Sequence, residues 1–365
     1  MRSLANLSPC SPARGEGVIG ADACIAEPLY SPRVAPATVK GSGPFLNLFG
    51  PVLDTYLDAA VGLTGCRSMG RGTEACEYDL LLILQERNPS STLRIGEGFV
   101  DLAFSTESEL RNPRDPEVAL SLAFVKPIRD KDLLLSSSTS EAREQLGRNF
   151  QRSTEERLAS SLKAIGRAEQ FLSKGAAEDA DFWLMSAGYD FAYAWLEASK
   201  TIPSPSHLLS QVRQVSKGQP GMFEAFSNAT GLGVASRTSC GGRLDALGLV
   251  YDLFSEQREA GPSRDSTRAS FELLGRKSGA AIKTSQPADS YCFLGLEISN
   301  TLPRVLASRA ERKDASSVVA SISGGENALL AKSVVKALGI TRSEDSLQKP
   351  LEALKVQIST LTRRA

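Results

Sequence analysis

The sequence is poor in the residues that several classes of site require. It contains one histidine in 365 residues, and its six cysteines include no Cys-x-x-Cys pair. These shortages argue against a structural zinc site and against a catalytic triad built on histidine. The favoured interpretation of the cysteines is reduced, structural thiols in a cytoplasmic protein. A reversible disulfide between Cys66 and Cys76 is the alternative.

Net charge and long apolar runs are also missing. The 42 basic and 42 acidic side chains cancel, and aromatic residues make up only 6% of the chain. A nucleic-acid-binding protein is expected to carry a basic surface, so nucleic acid is not an expected partner. No window approaches the roughly 18 consecutive apolar residues of a membrane span, and the N-terminus lacks the apolar core of a signal peptide. We therefore expect a cytoplasmic protein with no membrane partner.

The most informative stretch runs from Leu63 to Leu84, with the sequence LTGCRSMGRGTEACEYDLLLIL. Its last five residues form an unbroken apolar run that is typical of a buried strand. Glu77 and Asp79 lie directly before this run with one residue between them, so both carboxylates are predicted to point to the same side. Two neighbouring carboxylates repel each other unless a cation lies between them, and Mg²⁺ with a phosphate ligand is a common solution.

The loop before this acidic pair has the composition of a phosphate-binding loop. Its glycines would let the backbone approach a ligand closely: Gly65, Gly70 and Gly72. Its polar side chains can donate hydrogen bonds to phosphate oxygens: Arg67, Ser68, Arg71 and Thr73. The alternative is that these are turn residues of a loop that binds nothing, and that Glu77 and Asp79 are ordinary surface acids.

The segment GCRSMGRGTEACEYDLLLI resembles the signature of the nucleotidyltransferase superfamily, which includes DNA polymerase beta and kanamycin nucleotidyltransferase. That signature is an apolar residue, Gly with Ser or Gly, a spacer, and then Asp, an apolar residue and Asp. Gly65-Cys66 and Glu77-Tyr78-Asp79 stand at these two places, and the spacing fits. Two side chains differ from the pattern, because Cys66 replaces the small residue and Glu77 replaces the first Asp.

The resemblance covers about residues 46 to 136 and implies a complete active site. A third carboxylate is expected on a neighbouring strand, and Asp101 has that place within the segment FVDLAF. The implied site binds Mg²⁺ through Glu77, Asp79 and Asp101, with Asp101 receiving the proton of the acceptor. The residues implied to bind the nucleotide are Gly65, Cys66, Arg67, Ser68, Arg71 and Thr73. The implied reaction moves a nucleoside monophosphate from a nucleoside triphosphate to a hydroxyl group of a small molecule or protein.

The predicted fold class is α+β, with a small mixed sheet followed by an all-helical region. Residues 1–44, rich in Pro, Gly and Ser, are predicted to be a disordered or loosely packed arm. Residues 45–138 are predicted to form the nucleotidyltransferase-like domain. Its expected elements are a helix over 45–59, strands over 60–64, 80–84, 92–95, 99–104 and 133–135, and a helix from Pro116 that Asp115 caps.

The rest of the chain is predicted to be helical, as a domain over 139–220 and a C-terminal region over 221–365. Apolar periodicity indicates helices over 141–172 and 176–200 and another that begins at His207, followed by helices over 244–254, 291–306, 328–338 and 347–361. Residues 155–217 resemble the HEPN helical domain, which implies pairing of two chains through these helices. Ribonuclease members of that family carry an Arg shortly before the histidine. Thr201, Ile202 and Pro203 occupy those positions here, so ribonuclease activity is not expected.

The two departures from the signature leave a second hypothesis open. The extra methylene of Glu77 moves its carboxylate by about 1 Å, and a misplacement of that size can cost about a hundredfold in rate. The chain would then be a catalytically degenerate member that binds nucleotide or a partner protein, as a regulatory or toxin-neutralising module. Nucleotide binding without turnover across many acceptors would favour this second hypothesis. The sequence does not identify the acceptor or the base of the nucleotide.

Overall fold

The computed structural model describes residues 42–86, 88–113, 115–256, 262–284, 286–308 and 328–364. Contacts divide the chain into residues 1–46 and a compact unit over residues 47–365. The predicted N-terminal arm over 1–44 lies almost wholly outside the described residues. Among the helices that the structure describes, none is long and apolar enough to cross a membrane.

The sheet contains five strands. They are β1 (Ala60–Thr64), β2 (Tyr78–Leu84), β3 (Ser91–Ile95), β4 (Gly98–Thr106) and β5 (Lys126–Arg129). Their order across the sheet is β3-β4-β2-β1-β5. The central pair β2 and β4 is parallel, while every other neighbouring pair is antiparallel. The sheet is therefore mixed, and the strands predicted over 60–64, 80–84, 92–95 and 99–104 are confirmed.

The strand predicted over residues 133–135 is wrong, because those leucines lie at the start of a helix. Asp130 caps this helix, accepting hydrogen bonds from the backbone N–H groups of Leu135 at 2.8 Å and Ser136 at 2.9 Å. The fifth strand instead lies at Lys126–Arg129, a polar segment with little strand pattern. This segment forms a strand because it pairs with β1 at the edge of the sheet. Arg129 also donates to the carbonyl of Ala59 at 2.9 Å.

Five helices belong to the sheet-containing part: α1 (Ser42–Thr55), α2 (Gly65–Ser68), α3 (Glu107–Arg111), α4 (Pro116–Leu122) and α5 (Leu134–Glu144). Helix α4 begins as its sequence predicts, with Pro116 in its first turn and the Asp115 carboxylate accepting from the N–H of Glu117 at 2.8 Å. Apolar side chains from β1, β2, α4, α5 and the residue before β5 form a core on the sheet: Ala60, Ile83, Leu122, Val125, Leu135 and Ala142.

The remaining described elements are helical. They are α6 (Leu146–Leu172), α7 (Ala177–Ala198), α8 (Leu208–Val215), α9 (Pro220–Thr230), α10 (Arg237–Glu256), α11 (Pro262–Lys283), α12 (Pro287–Ser308), α13 (Ala328–Ala337) and α14 (Glu344–Thr362). The predicted α+β class, a small mixed sheet followed by a helical region, is confirmed. The HEPN resemblance and the boundaries near 138 and 220 stay predictions. Helices α9 and α11 are absent from the predicted set.

Helix α11 is the element that joins the helical region to the sheet edge. The backbone N–H of Thr92 in β3 donates to the Ser266 hydroxyl at 2.8 Å, and the Thr92 hydroxyl lies 2.7 Å from that of Ser270. Phe99 of β4 packs in an apolar cluster with Ala269 and Leu273. Because of these contacts, the part of α11 that lies about two helical turns beyond Ser270 is close to the start of β2.

Candidate active site

The three predicted carboxylates meet at one end of the parallel strand pair. Asp79 on β2 and Asp101 on β4 are register partners, and Glu77 lies immediately before β2. Register partners on adjacent strands present their side chains on the same face of the sheet. One carboxylate oxygen from each residue lies within 4.8 Å of those of the other two. The proximity predicted from the sequence is therefore observed, while the catalytic and metal-binding roles stay predictions.

Gly65 makes room for the Asp79 carboxylate. It follows β1, whose last residue Thr64 is the register partner of Asp79, and it has a φ of +66°. A Cβ atom at this position would lie 1.9 Å from Asp79 Oδ2. Both the left-handed backbone and this close approach require glycine. The first glycine of the loop thus shapes the acidic cluster.

A lysine that the sequence did not single out completes the cluster. Lys277 of α11 donates from Nζ to Glu77 Oε1 at 2.6 Å, and each side chain is only 11% exposed. The two residues are 200 positions apart in the chain, so no local motif links them. The available signal was the spacing of Lys277 from Leu273 and Leu274, which places a lysine in line with an apolar helix face.

The electrostatics of the cluster favour added positive charge. Burial raises the pKa of Asp79, and repulsion from Glu77 and Asp101 raises it further, against the attraction of Lys277. Burial also raises the pKa of Asp101, with Glu77 adding to the effect and a Thr92 hydrogen bond and Lys277 opposing it. Burial alone would lower the pKa of Lys277, but the charge and hydrogen bond of Glu77 raise it overall. One ammonium thus faces three carboxylates.

Two oxygens of the cluster have unmet hydrogen-bonding capacity. Glu77 Oε2 and Asp101 Oδ1 are buried and have no hydrogen-bond partner among the residues that the structure describes. A buried acceptor without a partner costs about 1–3 kcal/mol, and more when it is charged. Carboxylate oxygens are the donors that Mg²⁺ prefers in proteins. The cluster therefore fits a bound Mg²⁺, held by Glu77, Asp79 and Asp101.

The carboxylates line a cleft of about 370 Å³. Its other walls come from the start of the loop, residues 203–206 and helices α10, α11 and α12. The lining residues include Gly65, Cys66, Met69, Ser204, Tyr251, Leu274, Lys277 and Phe293. A cleft of this size lies at the lower end of the range of about 300–1,000 Å³ for small-molecule sites.

Arg67, a predicted phosphate-binding residue, supports the loop from inside. Its Nε donates to the carbonyl of Glu77 at 2.8 Å, and its Nη2 donates to the carbonyl of Cys76 at 2.6 Å. Its guanidinium carbon lies 4.0 Å from the centre of the Tyr78 ring. These contacts hold the loop against the start of β2 and so position Glu77.

The other predicted loop donors also bond to protein groups. The Ser68 hydroxyl donates to the Gly65 carbonyl at 2.9 Å, and Arg71 Nη1 donates to the Ile202 carbonyl at 3.2 Å. The Thr73 hydroxyl lies 3.3 Å from the sulfur of Cys76. Of the six predicted nucleotide-binding residues, Gly65 and Cys66 line the cleft beside the carboxylates. Their contact with a nucleotide stays a prediction for all six.

Two cysteines and the histidine form a second cluster beside the first. Cys66 and Cys76 are free thiols, and Cys76 Sγ lies 3.5 Å from His207 Nε2. The pKa of Cys76 is lowered overall, because a hydrogen bond with Cys66 outweighs the opposing effect of burial. The same hydrogen bond and burial both raise the pKa of Cys66. Sequence reasoning missed this cluster, since the histidine is 131 positions from Cys76.

Comparison with known proteins finds similarity in structure but no match to a family model or a curated protein. The chain is similar to the crystal structure of a nucleotidyltransferase-like protein from Exiguobacterium sibiricum, with 12% sequence identity and a TM-score of 0.32. The match covers 73% of this chain and 91% of that one. A TM-score of this size does not assign the chain to that protein's fold.

Proposed function

We propose that this protein is a Mg²⁺-dependent nucleotidyltransferase that moves a nucleoside monophosphate from a nucleoside triphosphate to a hydroxyl acceptor. The observation that carries the proposal is the convergence of Glu77, Asp79 and Asp101 in one cleft, with their oxygens within 4.8 Å of one another. Two of the buried carboxylate oxygens, on Glu77 and Asp101, have no hydrogen-bond partner among the described residues. Carboxylate oxygens of this kind are suitable ligands for a divalent cation.

The proposed reaction is a displacement at the α-phosphorus of the triphosphate. The acceptor oxygen forms a bond to the α-phosphorus, the bond from that phosphorus to the bridging oxygen breaks, and pyrophosphate leaves with the electron pair. Mg²⁺, when bound, would neutralise the triphosphate and lower the pKa of the acceptor hydroxyl. Asp101 would take the acceptor proton, because it lies opposite Asp79 on the neighbouring strand and lines the same cleft.

The loop and Lys277 would position the triphosphate. Gly65 and Cys66 line the cleft next to Asp79, where the positive φ of Gly65 brings the backbone close to the carboxylate. Lys277 lines the same cleft and places an ammonium beside Glu77. An ammonium at this point is suited to contact the β- or γ-phosphate as a point charge.

Transfer of a labelled nucleotide tests the proposal. The wild-type protein is incubated with Mg²⁺, each triphosphate labelled at the α-phosphate, and a panel of hydroxylated small molecules and proteins. We expect label transfer with pyrophosphate release, lost in Asp79→Asn and retained in Glu74→Gln. Glu74 is the matched control because it is an exposed acid of the same loop. Equal transfer by the wild type and Asp79→Asn would refute the site.

A second function is favoured by one observation. Lys277 Nζ already lies 2.6 Å from Glu77 Oε1, so an ammonium occupies a position beside the acidic cluster that a cation would otherwise take. A degenerate site of this kind would bind a nucleotide or a partner protein and regulate without turnover. Triphosphate binding with no pyrophosphate release across the acceptor panel would favour this function over the first.

We also propose that α6, α7 and α8 form a HEPN-like domain that pairs two chains. The support is their order, two long helices followed by a short one that starts directly after His207. Light scattering coupled to size-exclusion chromatography tests the pairing. A mass of one chain at all concentrations would contradict it.

A further inference from the structure

The second cluster brings together three side chains from separate parts of the chain. Cys66 lies in α2, Cys76 lies between the loop and β2, and His207 ends the 3-10 turn Pro205–His207 before α8. The two sulfurs and a ring nitrogen all lie within 4.8 Å of one another. The lack of a Cys-x-x-Cys pair excludes zinc motifs that are local in sequence. It does not exclude a site that tertiary folding assembles.

We propose that Cys66, Cys76 and His207 bind a thiophilic divalent cation, with Zn²⁺ as the expected ion. Two sulfurs and one imidazole nitrogen are a donor set that zinc uses in proteins. In a tetrahedral site with Zn–S of about 2.3 Å and Zn–N of about 2.0 Å, the ligand atoms lie roughly 3.5–3.8 Å apart. The Cys76 Sγ to His207 Nε2 separation of 3.5 Å already has this value.

The surroundings of the cluster suit three protein ligands and one open position. Cys66 and Cys76 are buried, whereas His207 is half-buried. A second cleft reaches Cys76 and His207 and is also lined by Thr73, Lys277 and Phe293. A water molecule could enter from this cleft as the fourth ligand. The Thr73 N–H donates to Cys76 Sγ at 3.4 Å, which orients the sulfur in the way that outer-shell hydrogen bonds orient metal ligands.

The ion would connect the loop to the helical region. Cys66 directly follows Gly65, Cys76 directly precedes Glu77, and Ser206 beside His207 lines the cleft of the carboxylates. Zinc at this point would therefore fix both ends of the loop relative to α8. Because its ligands are thiols and an imidazole, the zinc proposal does not depend on whether the carboxylate site turns over nucleotides.

Cobalt substitution tests the site by spectroscopy, without reference to activity. The full-length protein is stripped of metal under reducing conditions and titrated with Co²⁺. We expect a thiolate-to-cobalt charge-transfer band in the near ultraviolet that saturates at one equivalent and disappears on addition of Zn²⁺. Cys66→Ser, Cys76→Ser and His207→Gln should each weaken Zn²⁺ binding by more than about tenfold, since outer-shell changes alone cost about 10–100-fold.

Two control variants keep the test specific. Cys240→Ser alters a buried thiol elsewhere, whose contact with the Pro287 carbonyl at 3.2 Å a serine hydroxyl can reproduce, and should keep the full band. Asp79→Asn should also keep it, which separates thiolate binding from binding to the carboxylates. Circular dichroism of each variant without metal confirms that it is folded.

Two results would overturn the proposal. One is the absence of the charge-transfer band from the wild type, or its persistence in all three ligand variants. The other is a disulfide between Cys66 and Cys76, found by peptide mapping in protein that was never reduced and that regains no zinc after reduction. That second result would identify the cysteines as a redox pair.

Discussion

Lys277 Nζ lies 2.6 Å from Glu77 Oε1, although the two residues are 200 positions apart. Helix α11 docks on β3 and β4 through Ser266, Ser270 and Leu273, and this docking delivers the lysine to the start of β2. The ammonium balances one charge of a group of three carboxylates. Helix α11 therefore supplies a positive charge that stabilises the group of carboxylates.

Replacing Lys277 should destabilise the metal-free protein. Lys277→Met leaves buried Glu77 without its partner, and breaking a buried pair in this way costs about 3–5 kcal/mol. Mg²⁺ should restore part of the loss, because a ligand that binds only the folded state stabilises it. Urea denaturation with and without Mg²⁺ measures both effects. Lys283→Met, at the exposed end of the same helix, should change stability by at most about 0.5 kcal/mol. Equal stability of the two variants would contradict the ion pair's role.

Two glycine variants separate backbone strain from steric displacement. Gly65 and Gly70 both have positive φ, +66° and +72°, so alanine at either costs roughly 1–2 kcal/mol. Only at Gly65 would the Cβ overlap Asp79 Oδ2, since nothing lies within 4 Å of a Cβ at Gly70. Gly65→Ala should therefore lower nucleotide transfer by about a hundredfold or more, as a 1 Å misplacement can. Gly70→Ala should keep transfer. Equal activity of the two variants would mean that Asp79 does not need its observed position.

Stability should depend on pH through the acidic cluster. The pKa values of Asp79 and Asp101 are raised in the folded protein, mainly by burial. At a pH between the ordinary carboxylate pKa and these raised values, the folded protein therefore holds protons that the unfolded chain has released. Stability without metal should fall as pH rises from the ordinary carboxylate pKa to the raised values, and then level off. Mg²⁺ affinity should rise over the same window, because the metal binds the ionised carboxylates.

The Asp79→Asn variant isolates this effect from other titrating groups. It removes a carboxyl group whose ionisation is opposed by burial and by repulsion from Glu77 and Asp101, so without metal the variant should be more stable than the wild type above the ordinary carboxylate pKa. The difference between the two stability curves should grow with pH over the predicted window. Denaturation midpoints measured across a pH series give both curves. Parallel curves would show that Asp79 titrates as it does in the unfolded chain.

Glu77→Asp tests whether the site is adapted to glutamate. Shortening the side chain withdraws the carboxylate by about 1 Å, and transfer should fall about a hundredfold, since a misplacement of that size costs as much. Nucleotide-transfer rates of the variant and wild type decide the matter. Higher activity in the variant would instead identify Glu77 as a degenerate substitution, in favour of the regulatory function.

Part of the carboxylate cluster was predictable from local sequence. Glu77 and Asp79 adjoin the apolar run of β2, so strand alternation places both on one side. Asp101 was expected from the family resemblance, which implies a third carboxylate on a neighbouring strand. Parallel pairing of these strands then brings Asp79 opposite Asp101. The mixed sheet and the α+β class follow from the same runs.

What could not be predicted depends on contacts between distant segments. Lys277 acquires its role only because α11 docks on the sheet edge, and His207 meets Cys76 only because the turn before α8 folds over the loop. Strand β5 is polar in sequence and is selected by the free edge of β1. The helical role of the leucines at 133–135 depends on the Asp130 cap, which an apolar run does not reveal.

The central claim is that Glu77, Asp79 and Asp101 bind Mg²⁺ together with a nucleoside triphosphate. The most direct test is thermal unfolding of the wild type and Asp79→Asn with each triphosphate, with and without Mg²⁺. The account predicts a Mg²⁺-dependent rise in Tm for at least one triphosphate in the wild type and no such rise in the variant. No rise for any triphosphate in the wild type, or an equal rise in both proteins, would contradict it.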